Sequence, residues 1–392
     1  MKTKVALRKE AVRLHLQGEP KTEIARRLKQ SRRWVYRWIA RYDRKQGAKS
    51  LEDRSSAPKH RKEIYPQKIK DMAIQSRQAR KAGHRKYPYA LVSAEAIHYE
   101  LRELGVSPLP PARTIHFWLQ QAGEIETQPK PRKKSNPTYP VLPCQAVNDI
   151  HELDLKGPFY LQDSSQKYYL VVVRDVFGKK VALRVLKEKE MERIIDFLVE
   201  TWQKSGRPKF LQMDNSLEFR GSNAHPRALS RLVRVCLDVK VQPVFIPTRE
   251  PWRNGVIENL NGLIQRLFLK AKTFQNEKQL FQEAQKLETC INATHRLPAL
   301  EGRTPNEFAA KAPFHFLPSE YDWRKRNLQL VKGKVTFIRL VRKSGRITLT
   351  GDDKFLVGKK YKWQYVQAIV NVQKKQLGFY LMGKLIKSVA YP

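Results

Sequence analysis

Ile150-His151-Glu152-Leu153-Asp154-Leu155 alternates polar and apolar side chains, the period of a strand with one wet face and one dry face. The reading of the whole chain turns on this stretch and two later ones, Leu211-Gln212-Met213-Asp214-Asn215 and Asn254-Gly255-Val256-Ile257-Glu258-Asn259. Outward from the first, 168–173 and 180–186 read as two more strands, separated by a turn at Asp175 to Gly178. Gly157-Pro158 and Asp163-Ser164-Ser165 read as turn signals. Then helix and strand alternate: a helix over 190–202, a strand over 209–213, a helix over 227–237, a strand over 241–246 and a long helix over 255–270.

Three strands in succession, followed by alternating helices and strands, predict an α/β layer fold of the ribonuclease-H type over 147–312. In that fold the first strand is central and the fourth lies beside it. Asp154 on the first strand, Asp214 ending the fourth and Glu258 at the start of the long helix would then converge. A lone Asp is usually a turn or cap residue; only all three together, in this order and on these elements, make a site. Converging carboxylates bind hard divalent cations through oxygen. Two such ions about 4 Å apart can activate an attacking oxygen and stabilise a leaving one in in-line phosphoryl transfer. The site residues expected are Asp154, Asp214 and Glu258, as catalytic groups and as ligands of Mg²⁺ or Mn²⁺, with two ions. Asp149 reads as a strand-edge residue and Asp175 as a turn residue. Glu218 is on the wrong side of a turn, and His151 is not expected to hold metal.

The flanks have a different character. The chain has 392 residues, 77 Lys and Arg against 37 Asp and Glu, and a formal charge of +40. Residues 1–50 carry net +12 and 321–392 net +14, while 147–320 carry only +6. Strongly basic ends around a nearly balanced middle point to a polyanion, and double-stranded DNA is the expected partner. Residues 1–46 read as three helices ending in a helix-turn-helix, with Thr22 and Ser31 as caps. The third helix offers Arg32, Arg33, Tyr36 and Arg37 outward, opposite Val35, Trp38 and Ile39. A generic basic bundle is the plainer alternative. Residues 47–61 read as a linker. Residues 63–125 repeat the helical theme, with helices over 64–79, 93–104 and 112–121, as a second helix-turn-helix or winged-helix module. Residues 126–146 read as a basic, Pro-rich linker. From 331 to 392 short strands recur about every ten residues, predicting a small basic β-barrel that binds nucleic acid or joins subunits. Cys144, Cys236 and Cys290 are scattered, which excludes a disulfide framework and a Cys-rich zinc site. No apolar run has the length to span a bilayer and no signal peptide is visible, so a cytoplasmic location without a membrane partner is expected.

The middle domain resembles the catalytic core shared by bacterial insertion-sequence transposases and retroviral integrases, the DDE superfamily. The stretches that carry the resemblance are His151 to Leu155, Met213-Asp214-Asn215, and Pro247 through Asn261 with Asn254-Gly255-x-x-Glu258. The order of helix-turn-helix, helical module, core and basic barrel is similar to that of small insertion-sequence transposases. The chain departs from the pattern in three ways. Ser216 stands where Gly usually follows Asp-Asn. Asp214 and Glu258 have 43 residues between them, where 35 is common; the stretch 220–226 reads as the insertion. Glu250 restores the interval of 35, but Pro251 follows it, which puts it in a loop rather than on a helix face. The zinc-binding His-His-Cys-Cys module of retroviral integrases is absent. The resemblance implies a transposase that binds terminal inverted repeats, frees a 3′-hydroxyl and joins it to target DNA. It implies a homo-oligomeric synaptic complex in the prokaryotic nucleoid. Trp252, Arg253 and Asn254 read as DNA contacts near the site, with packing the alternative for Trp252. The alternative is a DNA-binding regulator whose integrase-like core is inactive.

Overall fold

The computed structural model describes residues 4–53, 64–83, 86, 88–126, 138–162, 164–221, 227–351 and 353–391. The chain falls into two compact units, Met1–Ile64 and Tyr65–Pro392.

In the first unit, α1 (Lys4–Leu16), α2 (Lys21–Arg27) and α3 (Arg32–Arg41) pack around Ala11, Leu14, Ile24, Ala25 and Val35. Ser31 caps α3 as expected, accepting the Trp34 amide at 3.1 Å. The expected Thr22 cap is not used: Pro20, with its fixed φ, precedes the first residue of α2, and no side chain caps it. The linker expected over 47–61 begins too early. Gly47–Leu51 is a 3₁₀ turn with Leu51 buried, held by Arg8, which donates to the Leu51 carbonyl at 2.8 Å and lies over the Trp38 ring. Residues 54–61 lie outside the described residues.

The second unit opens with α4 (Gln67–Lys81), α5 (Ala94–Glu103) and α6 (Ala112–Gln121), which close on Ala73, Ile97, Leu101, Ile115 and Leu119. Most of the Pro-rich linker, including Lys130, Arg132, Lys133 and Lys134, lies outside the described residues. The core follows. Strands β1 (Ile150–Phe159), β2 (Tyr168–Asp175) and β3 (Val181–Leu186) are antiparallel neighbours, and β4 (Phe210–Met213) and β5 (Gln242–Phe245) extend the sheet in parallel, in the order β3-β2-β1-β4-β5. The first strand is central and the fourth lies beside it, as the layer fold predicts. Helices α7 (Met191–Ser205), α8 (Leu217–Arg220) and α9 (Arg231–Asp238) precede α10 (Gly255–Ile264), which runs into a π turn at Gln265–Leu269. Then come α11 (Glu277–Thr294) and α12 (Pro305–Ala309).

The two faces of the sheet have separate cores. Leu153, Val171 and Val173 pack with α7 and α9, while Leu170 and Val172 pack with α10 and α11. Because strand side chains alternate, Glu152 and Asp154 lie on the face opposite Leu153, the one α10 covers. The turn expected at Gly157-Pro158 is instead an irregularity inside β1, whose register with β2 shifts between Lys156 and Phe159. Gly157 has φ +128°, and a Cβ there would stand 2.8 Å from the Tyr168 carbonyl, so only glycine fits. The helical module of 65–122 is docked on α11: the Tyr89 hydroxyl donates to Glu283, and a His295 ring nitrogen meets the Tyr89 carbonyl at 2.8 Å.

The C-terminal strands β6 (Lys334–Leu340), β7 (Arg346–Thr348), β8 (Lys354–Leu356), β9 (Tyr365–Asn371), β10 (Gln376–Leu381) and β11 (Lys384–Ala390) do not pair as a free-standing barrel. Instead β6 pairs in parallel with β5, and β9, β10 and β11 continue outward, giving one nine-stranded sheet; β7 and β8 form a separate hairpin. The reason is that β5 would otherwise end the core as an apolar open edge. Phe337 of β6 stacks on Phe245 of β5 with ring centroids 5.0 Å apart, and Gln242 donates to the Thr336 hydroxyl at 2.7 Å.

Candidate active site

Parallel pairing sets Glu152 of β1 opposite Gln212 of β4. Two residues further on, Asp154 lies within β1, opposite Val172 of β2, and Asp214 directly follows the end of β4. Both are half-buried. Burial raises the Asp214 carboxyl above its ordinary range, the Ser216 amide opposes this, and the Asp154 charge adds to the rise. Two like charges this close are the arrangement that a cation relieves.

Helix α10 is pinned over these strands at several points. The Glu152 carboxylate accepts the Ile257 amide at 2.5 Å. Gln212 donates to the Asn254 side-chain oxygen at 2.9 Å. Arg174 donates to the Val256 carbonyl at 3.2 Å, and Asn261 donates to Asp154 at 2.5 Å. Glu258 lies one turn before Asn261, on the same helix face, and is half-buried. The structure therefore brings Asp154 and Asp214 together and sets Glu258 on the face of α10 that meets β1. Among the described residues, however, no three His, Cys, Asp or Glu side chains stand at metal-holding spacing.

Glu250 is engaged elsewhere. It accepts the Tyr365 hydroxyl at 2.7 Å and Arg253 at 3.0 Å. Arg253 is half-buried, lying over the Tyr139 ring at 4.1 Å and donating to the Tyr365 hydroxyl. The expected DNA contact at Asn254 needs correcting: Asn254 is buried and occupied with Gln212. Arg253 is tied up in the same corner, while the neighbouring Trp252 is exposed.

Three site residues were not visible in the sequence. Glu152 is buried, which pushes its carboxyl up to about 7 against the pull of the Ile257 amide and Arg174. Asn261 closes the stretch 247–261, and nothing in its residue type points to Asp154 as its partner. Arg339 is a buried guanidinium on β6 that donates to Asn215 at 2.6 Å and to the carbonyls of Ile246, Thr348 and Leu349. Burial pushes its pKa down to about 9. The one signal was an Arg set among apolar strand residues, Phe337-Ile338-Arg339-Leu340. His151 is buried against Asn148, and burial holds it neutral, with a pKa pushed down to about 3.

The second candidate surface is on the first unit. Arg32, Arg33, Tyr36 and Arg37 are all exposed on α3, with Val35 and Trp38 buried beneath. Lys21 lies over the Tyr36 ring at 4.7 Å. In the helical module of the second unit, Arg113, His116 and Phe117 of α6 are exposed, while Ile115 and Leu119 are buried.

Residues 2–51 match the family model of the homeodomain-like domain, in agreement with the helix-turn-helix read from the sequence. No curated protein matches the chain in sequence. Among solved structures the chain is similar to the catalytic core domain of HTLV-2 integrase in complex with magnesium, at 19% identity and a TM-score of 0.33, over 42% of this chain and 97% of that one. It is also similar to a chain of the simian T-cell lymphotropic virus intasome in complex with PP2A regulatory subunit B56 gamma, at 14% identity and a TM-score of 0.38, over 70% of this chain and 88% of that one. The BIV integrase catalytic core is a third, at 14% identity and a TM-score of 0.31, over 42% and 95%. Scores this low establish no activity for this chain. No helix among the described residues is long and apolar enough to cross a membrane.

Proposed function

We propose that the chain is a DDE-type transposase. It would bind double-stranded DNA at the ends of a mobile element, cut there to free a 3′-hydroxyl, and join that hydroxyl to target DNA. The observation that carries the reading is Asp154 within β1 and Asp214 just past the end of the adjacent parallel strand β4, under a helix that bears Glu258 and is bonded to Asp154 through Asn261. In this reading the domains are a helix-turn-helix over 1–46, a second helical module over 63–125, a basic linker over 126–146, the catalytic core over 147–312 and a basic C-terminal part over 331–392. Two element ends must be held together, so the working form is a homo-oligomer, acting in a prokaryotic nucleoid.

The donor chemistry fits a hard divalent cation, because the candidate ligands are carboxylate oxygens and include no thiol or imidazole. Asp154, Asp214 and Glu258 would hold Mg²⁺ or Mn²⁺, two ions in all. When bound, such ions activate an attacking oxygen and stabilise the leaving one. The chain itself supplies the rest. Adjacent strands fix the spacing of two carboxylates, and α10 aims the third. The exposed face of α3 seats the DNA. In the first step water attacks the phosphorus, the P–O bond to the 3′-oxygen breaks, and that oxygen leaves as a hydroxyl. In the second, the 3′-hydroxyl attacks a target phosphorus and displaces the target's own 3′-oxygen, so no covalent enzyme intermediate arises.

The second reading is a DNA-binding regulator with an inactive core. A strand-transfer assay on the element's ends, with divalent metal, separates the two. Replacing Asp154, Asp214 or Glu258 by Ala should lower cleavage and joining by roughly a thousandfold or more and leave end binding intact. Glu250→Ala should retain chemistry. An inert wild-type protein that still binds ends selects the regulator; activity that survives Glu258→Ala and is lost in Glu250→Ala moves the third carboxylate.

A further inference from the structure

We propose that Glu152 is a positioning residue, which caps α10 from the neighbouring strand and so fixes where Glu258 stands. The proposal rests on the transposase reading and goes one step deeper into it.

Asn254 occupies the N-cap position of α10, and asparagine is among the residues that serve best there. Yet its side chain makes no capping bond. Its oxygen is turned to Gln212, at 2.9 Å. The first-turn amides of the helix are left needing an acceptor in a buried place, and an unmet buried amide is costly. Glu152 supplies it. Its carboxylate accepts from the Ile257 amide at 2.5 Å and also from that of Val256. Its other oxygen lies 3.4 Å from the Gln212 side-chain nitrogen. Glu152, Gln212 and Asn254 are all more than nine-tenths buried, so water cannot take over any of these bonds.

Glu258 follows the capped amides directly. Asp154 is two residues beyond Glu152 on the same strand face. One side chain therefore sets the distance between two of the three proposed catalytic carboxylates, through a bond between residues 105 positions apart. A carboxylate at a helix N-terminus also meets the positive end of the helix dipole, so removing it loosens the helix where the geometry matters most.

The test uses the full chain with Glu152→Ala and Glu152→Gln. Amide hydrogen exchange at Val256 and Ile257 should quicken in Glu152→Ala by on the order of tenfold or more, with distant strands unchanged. In strand transfer, kcat should fall about a hundredfold, the scale of a misplaced catalytic group, while KM for end DNA stays within about twofold. Glu152→Gln keeps one acceptor oxygen and should recover part of both losses; it also carries the test if the Ala variant does not fold. Unchanged exchange at 256–257 in an active protein overturns the cap. So does quickened exchange without a loss of kcat, or a loss wholly in KM. A wild-type protein unable to join DNA, with exchange still quickened in the variants, overturns the transposase reading and with it the catalytic half of the proposal, but leaves the cap standing.

Discussion

His295 is a buried imidazole at the seam between the helical module and α11, its Nε2 2.8 Å from the Tyr89 carbonyl. Burial pushes its pKa down to about 4, and Arg174 and Arg80 push the same way. A histidine held neutral in the folded state and free to titrate near 6.5 when unfolded binds more protons unfolded. The stability it permits is therefore whole above about pH 6.5 and drains as pH falls toward 4. Between pH 7 and pH 5 the loss is about 2 kcal/mol. His151 acts in the same sense, while Asp175, raised by burial to about 6, gains stability on acidification and works against both. Comparing urea unfolding of wild type and His295→Gln at the two pH values isolates the one group. The wild type should lose about 2 kcal/mol more than the variant, and parallel losses would show that His295 titrates normally in the fold.

At the scale of elements, α3 is the best case of a helix whose role can be read from one face. Val35 and Trp38 lie inward, and Arg32, Arg33, Tyr36 and Arg37 are exposed. If α3 enters a major groove, an Ala at a base-contacting position among these four should cost about 1–3 kcal/mol on element-end DNA and little on scrambled DNA. Ala at the exposed Lys359 or Lys360 should weaken both alike, because phosphate contacts carry no sequence. Competition binding on the two DNAs decides it; equal losses on both for the α3 variants would move sequence readout to α6, around Thr114 to Trp118. The helices were legible because their signals are local: Ser31 and Ser93 cap the elements that follow them, and the apolar period is 3.6. The three-residue strand β8 and the 3₁₀ turn at Gly47–Leu51 carry no such period. The same divide runs through the site. Asp154, Asp214 and Glu258 were readable by residue type and order, although their convergence on metal rests on the proposal. Glu152, Asn261 and Arg339 were not, because each is defined by a partner about a hundred residues away, such as Ile257, Asp154 and Asn215.

For the whole molecule, the continuous sheet changes what counts as a separable part. A barrel that folds alone could be removed without harm to the core. Here β6 is the neighbour of β5, and Val335, Phe337, Val366 and Phe379 belong to the same buried cluster as Leu153, Trp202 and Phe245. Arg339 of β6 also holds the Asn215 side chain, next to Asp214, and the carbonyl of Ile246, just past the end of β5. Cutting the chain at 330 would bare the β5 edge, remove Phe337 from Phe245 and release Asn215. The 65–330 fragment should therefore melt more than about 10 °C below the 65–392 chain, or show no cooperative transition, and should aggregate through its open edge. Removing residues 1–64 takes away a unit with its own core, so 65–392 should keep the unfolding transition that belongs to it in the full chain. Calorimetry on the full chain and both fragments makes the comparison. A 65–330 fragment that unfolds cooperatively within a few degrees of 65–392 would mean that the C-terminal strands are a separate domain resting against the core, not the outer half of its sheet.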